Sequence, residues 1–264
     1  MITSVDPIPL LHFKNLEMAG LINFITTREG GVSNSPYDSL NLGMHTLDNS
    51  ENVSQNRSIL ASAVGIPPTN FVYAQQIHSG KAIQVTKEDI INSEFKFSPE
   101  TDALITDVHG ISLMVMVADC VPILLYDPVR GVIAAIHAGW RGTVKKIVCN
   151  TIGLMKSHYH CCPADLLAGI GPSSGPCCYE VGDDVKQEVA ASFGFTAGVI
   201  HSTANSKYLF DLWQANHKQL IDCGVEANNI EISGMCTQCN PDIFFSSRAS
   251  HGVSGRFAAG ICIL

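Results

Sequence analysis

The stretch MVMVADCVPILLYDPVRGVIAAIHAGWRGTVK, Met114–Lys145, decides the fold of this chain. It contains two apolar runs, Leu113–Tyr126 and Gly131–Ile136, which are separated by the polar turn residues 127–130. Apolar runs that are bounded by Pro, Gly and Asp are typical of buried strands. The sequence therefore predicts a β-hairpin at the centre of the protein.

A symmetric hairpin would bring a cysteine and a histidine face to face. If the turn is centred on the Pro128–Val129 bond, Cys120 lies opposite His137, because both are equally far from the turn. Directly opposed residues have Cβ atoms about 4.5–5.5 Å apart, and a zinc ion with ligand bonds of about 2.0–2.3 Å could bridge them. A slip of one residue would turn His137 to the other face. Pro122 cannot donate a ladder hydrogen bond, so it predicts an edge or irregular strand.

Length and composition indicate a compact globular protein. The chain has 264 residues, of which 46% are hydrophobic and 15% charged. This is enough for a full hydrophobic core, in one large domain or two small ones. Predicted strands and helices are mixed without a strict βαβ rhythm, which favours an α+β fold over a doubly wound α/β fold.

Charge and the N-terminal sequence limit the partners and the location. A net charge of −8 argues against non-specific binding to nucleic acid or to anionic membranes. An anionic substrate would need a local cluster of arginines. Residues 1–18 do not resemble a signal peptide, and no apolar run reaches about 18 residues. We therefore expect a cytoplasmic protein whose ten cysteines are reduced.

Hydrophobic periodicity and capping residues predict the main secondary structure. Helices are expected over Asp48–Val64, Thr143–Ser157, Asp183–Phe193 and Leu209–Cys223, a polar connector over Ile90–Glu100, and a strand over Phe244–Ser246.

One candidate metal site can be assembled from the sequence. Zinc that has three protein ligands and one open position is typical of a catalytic centre, and His78, Cys120 and His137 could supply such a set. Taken singly, each residue has an ordinary interpretation, because cysteine is often buried and a lone histidine is often simply hydrogen-bonded. Asp119, next to Cys120, could orient a ligand or act as a base.

Four further cysteines lie in two short motifs. Cys236 and Cys239 form a CxxC, which signals redox chemistry or structural zinc, but no second CxxC or histidine pair accompanies it. Cys177 and Cys178 are adjacent and would point in different directions, so at most one would face a site. Ordinary thiols are the favoured interpretation of both motifs.

Several arginines lie in loops rich in glycine or serine. These are Arg28, Arg141, Arg248 and Arg256, while Arg57 falls on a predicted helix. The guanidinium fork suits phosphate or carboxylate. Any single one of them is more often a solvated or salt-bridged surface residue.

Ten short motifs follow one another along the chain. They are TTREGGVS (26–33), SLNLG (39–43), QQIH (75–78), TDALIT (101–106), ADCVP (118–122), HAGWRG (137–142), GIGP (169–172), CCYEV (177–181), FFSSR (244–248) and GRFAA (255–259). Together they resemble the YfiH-type laccase-domain family, whose members are also called purine nucleoside phosphorylases or peptidoglycan editing factors. The resemblance covers Ile22 to Leu264. Ser79 and Ser247 depart from the glycine and tyrosine that are frequent in the family.

The resemblance implies a fold, a metal and a reaction. The fold would be a single α+β domain over residues 1–264, with packed mixed β-sheets flanked by helices. One Zn²⁺ would be held by His78, Cys120 and His137, with Cu²⁺ as the alternative metal. The reaction would be phosphorolysis of adenosine, inosine, guanosine and methylthioadenosine, with adenosine deamination at the same site. The partners would then be a nucleoside and phosphate.

Roles for individual residues follow from the resemblance as hypotheses. Cys120, His137 and Asp119 would be catalytic, with Asp119 supporting the metal ligands or transferring protons. The substrate would be bound by a larger set: Arg28, Arg57 and Arg141 for phosphate or ribose, and Asn41, His45 and Tyr179 for the pocket.

Three other functions compete with this interpretation. Copper-dependent phenol oxidation needs several coppers, and the sequence shows one good ligand set. Without metal, Cys120 could be a nucleophile with His137 as its base, giving an amide hydrolase that edits peptidoglycan precursors; zinc could also serve this hydrolysis. A purely structural zinc would need a fourth ligand from Cys236–Cys239, and the sequence gives no sign of one.

Overall fold

Two large β-sheets form the centre of the protein. The computed structural model describes residues 2–5, 8–90, 96–194, 198–203 and 207–264. The strands are β1 (Ile2–Val5), β2 (Ile8–Leu11), β3 (Leu21–Thr26), β4 (Phe71–Gln75), β5 (Ala82–Gln84), β6 (Lys96–Glu100), β7 (Ala103–Thr106), β8 (Ser112–Val117), β9 (Val121–Asp127), β10 (Val132–Ala138), β11 (Leu167–Ile170), β12 (Glu180–Val181), β13 (Ile200–Ser202), β14 (Tyr208–Phe210), β15 (Ile230–Ile232) and β16 (Phe257–Ile263).

The strands assemble into mixed sheets. The first has the order β1-β2-β3-β16-β8-β4-β6, the second β15-β11-β9-β10-β7-β5, and a small third sheet β12-β14-β13. Both large sheets contain antiparallel and parallel pairs. Within the described residues, five α-helices surround them: α1 (Ser50–Val64), α2 (Trp140–Val144), α3 (Ile147–Tyr159), α4 (Asp183–Phe193) and α5 (Leu212–Asp222). The predicted α+β class, with packed mixed sheets flanked by helices, is confirmed.

The hydrophobic core has three layers that hold these elements together. Between the two large sheets, Leu124 and Ile133 of one sheet pack in the same cluster as Val115 of the other. The outer face of the six-stranded sheet packs against α3 and α5, and the outer face of the seven-stranded sheet packs against α1. Strands β9 and β10 are thus buried on both faces, which explains why their sequences are continuously apolar.

The central hairpin forms with a register different from the predicted one. His137 pairs with Pro122, not with Cys120, so the register is shifted by two residues. The cause is the turn, because the Asp127 carboxylate accepts hydrogen bonds from the amides of Val129 and Arg130 at 2.9 Å, and Gly131 takes a left-handed φ of 63°. An even shift keeps each side chain on its predicted face.

The run 113–126, predicted as one strand, is two strands in different sheets. β8 belongs to the seven-stranded sheet and β9 to the six-stranded sheet. The chain crosses between them at residues 118–120, where Asp119 has a φ of 89°. Of the two outcomes predicted for Pro122, an edge strand or an irregular one, the edge was wrong, since β9 lies between β10 and β11. Pro122 has no N–H to donate, and it is tolerated because the neighbouring strand β11 ends at Ile170, beside this position. The Pro122 carbonyl still accepts a hydrogen bond from the Gly171 amide at 2.8 Å.

Some of the other predicted secondary-structure elements are confirmed, and others differ from the structure. Helix α1 and its stop at Gly65, and helix α4, are confirmed. The helix predicted over 143–157 is interrupted at Lys146, which has a φ of 61° and separates α2 from α3. The connector predicted over 90–100 includes strand β6, and its residues 91–95 lie outside the described part of the chain. The segment 244–246, predicted as a strand, lies between turns.

Two further features concern the cysteines and the length of the helices. Cys149 and Cys223 are paired as a disulfide between α3 and the end of α5, against the expectation that all ten cysteines are reduced. None of the helices in the described ranges has both the length and the apolar character needed to cross a membrane.

Candidate metal centre

The structure brings together the three predicted metal ligands. Each of His78, Cys120 and His137 offers one donor atom, and these atoms lie within 4.8 Å of one another. The Cys120 Sγ is 3.9 Å from the His78 Nε2, and the two imidazole rings meet edge to face with centroids 4.9 Å apart. One ion placed among the three donors could contact all of them.

Each ligand comes from a different kind of local structure. His137 is on β10, Cys120 ends the crossing between the two sheets, and His78 follows β4 with a left-handed φ of 58°. Gly139 makes the close approach possible. A Cβ at that position would lie 2.8 Å from the Cys120 Sγ and 3.2 Å from the His78 ring. The first glycine of the HAGWRG motif, Gly139, is therefore required by the close packing of Cys120 and His78.

A buried carboxylate that the sequence analysis did not single out orients the histidines. Asp102 Oδ1 lies 2.8 Å from the His137 Nδ1, and the same carboxylate accepts hydrogen bonds from the amides of His78 (3.0 Å) and Ser79 (2.5 Å) and from the Ser79 hydroxyl (2.7 Å). A carboxylate behind a ligating histidine fixes the tautomer and leaves Nε2 for the metal. The sequence analysis had assigned this role, the support of the metal ligands, to Asp119.

The ionisation of the metal-free site follows from this packing. Burial raises the pKa of the Asp102 carboxyl, but the hydrogen bonds from His137 and Ser79 outweigh it and bring that pKa to about 2. Burial lowers the pKa of His137, and the charges and hydrogen bonds of Cys120 and Asp102 raise it to about 9. Burial raises the pKa of the Cys120 thiol, and the two histidines lower it to about 6. At neutral pH the site thus holds a thiolate beside an imidazolium.

The donor set fits a soft or borderline transition metal. Tetrahedral zinc with ligand bonds of about 2.0–2.3 Å places a sulfur and a nitrogen ligand about 3.5 Å apart, close to the 3.9 Å between Cys120 and His78. Sulfur and imidazole donors suit zinc or copper rather than magnesium or calcium. Within the described part of the chain the group has three members, so one coordination position is left for water or substrate.

The metal centre forms part of the wall of a large cavity. The cavity has a volume of about 1220 Å³, larger than the usual range of about 300–1,000 Å³ for small-molecule sites. Four arginines line it and are called here the arginine wall: Arg57, Arg141, Arg248 and Arg256. In a chain of net charge −8, this wall is the local cationic cluster that an anionic substrate requires.

Four of the predicted substrate-binding residues line the cavity. Arg57 is buried, with its guanidinium 4.0 Å from the Tyr73 ring centroid and hydrogen bonds to the Leu42 carbonyl. Arg141 is exposed. Tyr179 is buried, and burial raises the pKa of its hydroxyl, as does the nearby Cys120. His45 also lines the cavity; desolvation and then the charges of Arg256 and Arg57 lower its pKa.

The other two predicted substrate residues do not line the cavity. Arg28 donates to the carbonyl and carboxylate of Asp38 and to the Pro241 carbonyl at 2.7–3.1 Å, which ties two loops together. Asn41 is fully buried. Its side-chain amide donates to Thr46 and Asp48, and its oxygen accepts from the Arg256 amide at 2.8 Å. Asn41 thus supports the backbone at Arg256, and Arg28 has a structural role.

Asp119 lines the cavity, but its carboxylate serves as an anchor for surrounding loops. It accepts hydrogen bonds from the Thr237 and Ser246 hydroxyls at 2.6 and 2.7 Å and from the Arg248 amide at 2.6 Å. Arg248 and Arg256, which the sequence analysis named without giving them a role, also line the cavity. The sequence could not show this, since it depends on contacts over more than a hundred positions.

The fold and the site together define an α+β protein of two packed sheets with three potential metal donors beside a cationic cavity. Residues 22–264 match the family described as "Multi-copper polyphenol oxidoreductase laccase", and the chain belongs to this family.

Two relatives and one solved structure illustrate the similarity. The chain is 37% identical over 247 residues to "Purine nucleoside phosphorylase YlmD" of Geobacillus stearothermophilus, covering 92% of this chain and 90% of that protein. It is 34% identical over 239 residues to "Purine nucleoside phosphorylase YfiH" of Escherichia coli K12, covering 90% and 92%. The crystal structure of YlmD from Geobacillus stearothermophilus superposes with a TM-score of 0.92 at 33% identity, over 99% and 98% of the two chains.

Metal affinity at this centre should depend on pH. Below pH 9 His137 carries a proton that a metal must displace, whereas Cys120 has already lost its proton above pH 6. The logarithm of the Zn²⁺ association constant should therefore rise by about 1 per pH unit between pH 6.5 and 8.5. Competition with a chromophoric chelator measures this slope. A pH-independent constant would contradict the thiolate–imidazolium pair.

Asp102→Asn should weaken metal binding by about 10- to 100-fold, the usual cost of losing a carboxylate behind a ligating histidine. The same chelator competition measures it. Asp38→Asn is the matched control, because Asp38 is an exposed carboxylate outside the site. Equal affinities for the Asp102 and Asp38 variants would show that the carboxylate does not tune the centre.

Proposed function

We propose that this protein is a metal-dependent purine nucleoside phosphorylase whose metal is zinc, held by His78, Cys120 and His137. The observation that carries the proposal is the position of the three-donor centre, which shares one cavity with the arginine wall. A metal-dependent phosphorolysis would use both features on a single substrate. The names of the relatives, which are purine nucleoside phosphorylases, support the same reaction.

Phosphate would be held by the exposed members of the arginine wall. Arg141 and Arg248 are both exposed and line the cavity, and a guanidinium can bind a phosphate through two parallel hydrogen bonds. Arg57 and Arg256 are more buried, and burial lowers the pKa of each side chain. They hold the loop backbone at Leu42 and at residues 254–255 and add positive potential behind the phosphate.

The reaction joins a phosphate oxygen to the ribose C1′ as the bond from C1′ to the purine nitrogen breaks. The products are ribose 1-phosphate and the free purine, which takes up one proton. Holding phosphate and nucleoside in one cavity converts an encounter of two molecules into a positioned reaction. A bound zinc would supply a Lewis acid at the cavity wall.

Residues of the chain would orient the nucleoside. The Tyr179 hydroxyl stays protonated, because burial raises its pKa, so it can donate a hydrogen bond to the base or ribose. His45 has a lowered pKa and is neutral at pH 7, so one ring nitrogen can accept a hydrogen bond. Asp119 would act as a positioning residue that holds Arg248 in the wall.

We further propose adenosine, inosine, guanosine and methylthioadenosine as substrates, with adenosine deamination at the same centre and the cytoplasm as the location. A zinc ion held by three protein ligands would have a further position for water, and this supports deamination, because zinc can activate water. The lowered pKa of Cys120 favours one alternative: amide hydrolysis of a peptidoglycan precursor, with Cys120 as nucleophile and His137 as the base that already holds its proton.

Turnover of inosine and adenosine, each with and without phosphate, tests the proposal. Ribose 1-phosphate should form from both only when phosphate is present, and ammonia should form from adenosine without phosphate. Cys120→Ala should lose metal at this centre and at least about 100-fold in activity, as expected when a metal that stabilises the transition state is lost. Cys162→Ser, at an exposed free cysteine, is the control.

Full nucleoside turnover by Cys120→Ala would refute the role of the metal centre. Metal binding without nucleoside turnover, together with cleavage of an amide in a cell-wall precursor, would favour the hydrolase instead.

Arg141→Ala should raise the KM for phosphate by about 10- to 100-fold, because a hydrogen bond to a charged group contributes about 1.5–3 kcal/mol. Arg28→Ala should leave that KM unchanged and lower the melting temperature, since Arg28 joins loops outside the cavity. Lys156→Ala, at an exposed position on α3, is the control for loss of positive charge. Steady-state kinetics with varied phosphate measures these KM values. If Arg28→Ala raised the KM for phosphate as much as Arg141→Ala, the assignment of phosphate binding to Arg141 and not to Arg28 would be contradicted.

A further inference from the structure

Four cysteines outside the proposed active centre converge at one point. They are called here the cysteine cluster: Cys177, Cys178, Cys236 and Cys239. Their sulfur atoms all lie within 4.8 Å of one another. The Cys239 Sγ is 3.5 Å from that of Cys177 and 3.4 Å from that of Cys178. The sequence interpretation of these motifs as separate ordinary thiols therefore needs revision, because the CxxC has the adjacent pair as its partner.

The geometry points to a second metal site, and we propose that the cysteine cluster binds one Zn²⁺ in a closed tetrathiolate shell. Tetrahedral zinc with Zn–S bonds of about 2.3 Å places its sulfur ligands about 3.8 Å apart. Two sulfur–sulfur distances of the cluster are 3.4 and 3.5 Å, and all four sulfurs lie within 4.8 Å of one another. Disulfides join sulfurs in pairs at about 2.05 Å. Four sulfurs gathered around one point match the requirement of a single ion.

The surrounding backbone is built for a coordinated thiolate. The Gly175 amide donates a hydrogen bond to the Cys236 Sγ at 3.3 Å, and outer hydrogen bonds of this kind support metal ligands. Gly175 also permits the approach, since a Cβ there would lie 2.7 Å from the Trp213 ring and 3.1 Å from the Cys236 Cβ. Backbone pairing between Ser173 and residues 236–237 fixes the two cysteine loops relative to each other.

The site would be structural, and it would support the cavity of the proposed phosphorylase. Four protein ligands leave no open position for substrate. Thr237, between the two cysteines of the CxxC, donates to the Asp119 carboxylate at 2.6 Å. Tyr179, directly after Cys178, lines the cavity. A zinc ion would thus cross-link two loops that carry parts of the cavity wall and have little regular secondary structure of their own.

Zinc content of the full-length protein, purified with zinc supplied, tests this proposal. Wild type should contain about two zinc ions per chain, one for each donor group. Cys177→Ser/Cys239→Ser, at two exposed positions, should contain about one and melt at a lower temperature. Cys120→Ala should also contain about one, because it loses the other site. Cys162→Ser, at an exposed cysteine outside the cluster, should keep both ions.

Zinc-edge X-ray absorption of Cys120→Ala provides a test that leaves the cluster intact. The remaining ion should show about four sulfur neighbours at about 2.3 Å. Nitrogen and oxygen neighbours alone would overturn the proposal, as would one zinc in wild type that the double serine variant retains. If wild type binds two zinc ions but does not turn over nucleosides, the proposed phosphorylase is overturned, whereas the proposal of the second zinc site is still supported.

Discussion

The hydrogen bond between Asp102 and His137 is the interaction on which the rest of the site depends. A buried carboxylate is costly unless its oxygens are satisfied. Here they accept from an imidazole, from the amides of His78 and Ser79 and from the Ser79 hydroxyl. The same bonds that satisfy the carboxylate hold His78 in its left-handed conformation. One acidic side chain thereby positions two of the three proposed metal ligands.

The second constraint is the crossing of the chain between the two sheets. Cys120 lies where β8 of one sheet gives way to β9 of the other, and Asp119 at this crossing is bonded to Thr237, Ser246 and Arg248. His78 follows a strand of the seven-stranded sheet, and His137 lies on a strand of the six-stranded sheet. The metal centre therefore depends on the packing of both sheets. The loops hydrogen-bonded to Asp119 carry Arg248 of the arginine wall and Cys236 and Cys239 of the cysteine cluster.

Much of this arrangement could be predicted from the sequence, and the failures have physical causes. The hairpin placed Cys120 near His137 on the correct face, although an asymmetric turn at Asp127 and Gly131 shifted the register by two residues. His78 came from a motif rather than from local pattern. Asp102 was missed because its partner lies 35 positions away, and Arg28 was misplaced because loop residues carry no periodic signal. Convergence of Cys177 and Cys239, 62 positions apart, depends on tertiary packing that no local pattern encodes.

Anomalous diffraction at the zinc edge, from crystals of the zinc-loaded protein soaked with phosphate, tests the central claim most directly. A peak among His78 Nε2, Cys120 Sγ and His137 Nε2 is predicted, with phosphate bound in the same cavity against Arg141 or Arg248. Absence of zinc from these three atoms in crystals that contain zinc elsewhere would contradict the account. Phosphate bound only outside the cavity would do the same.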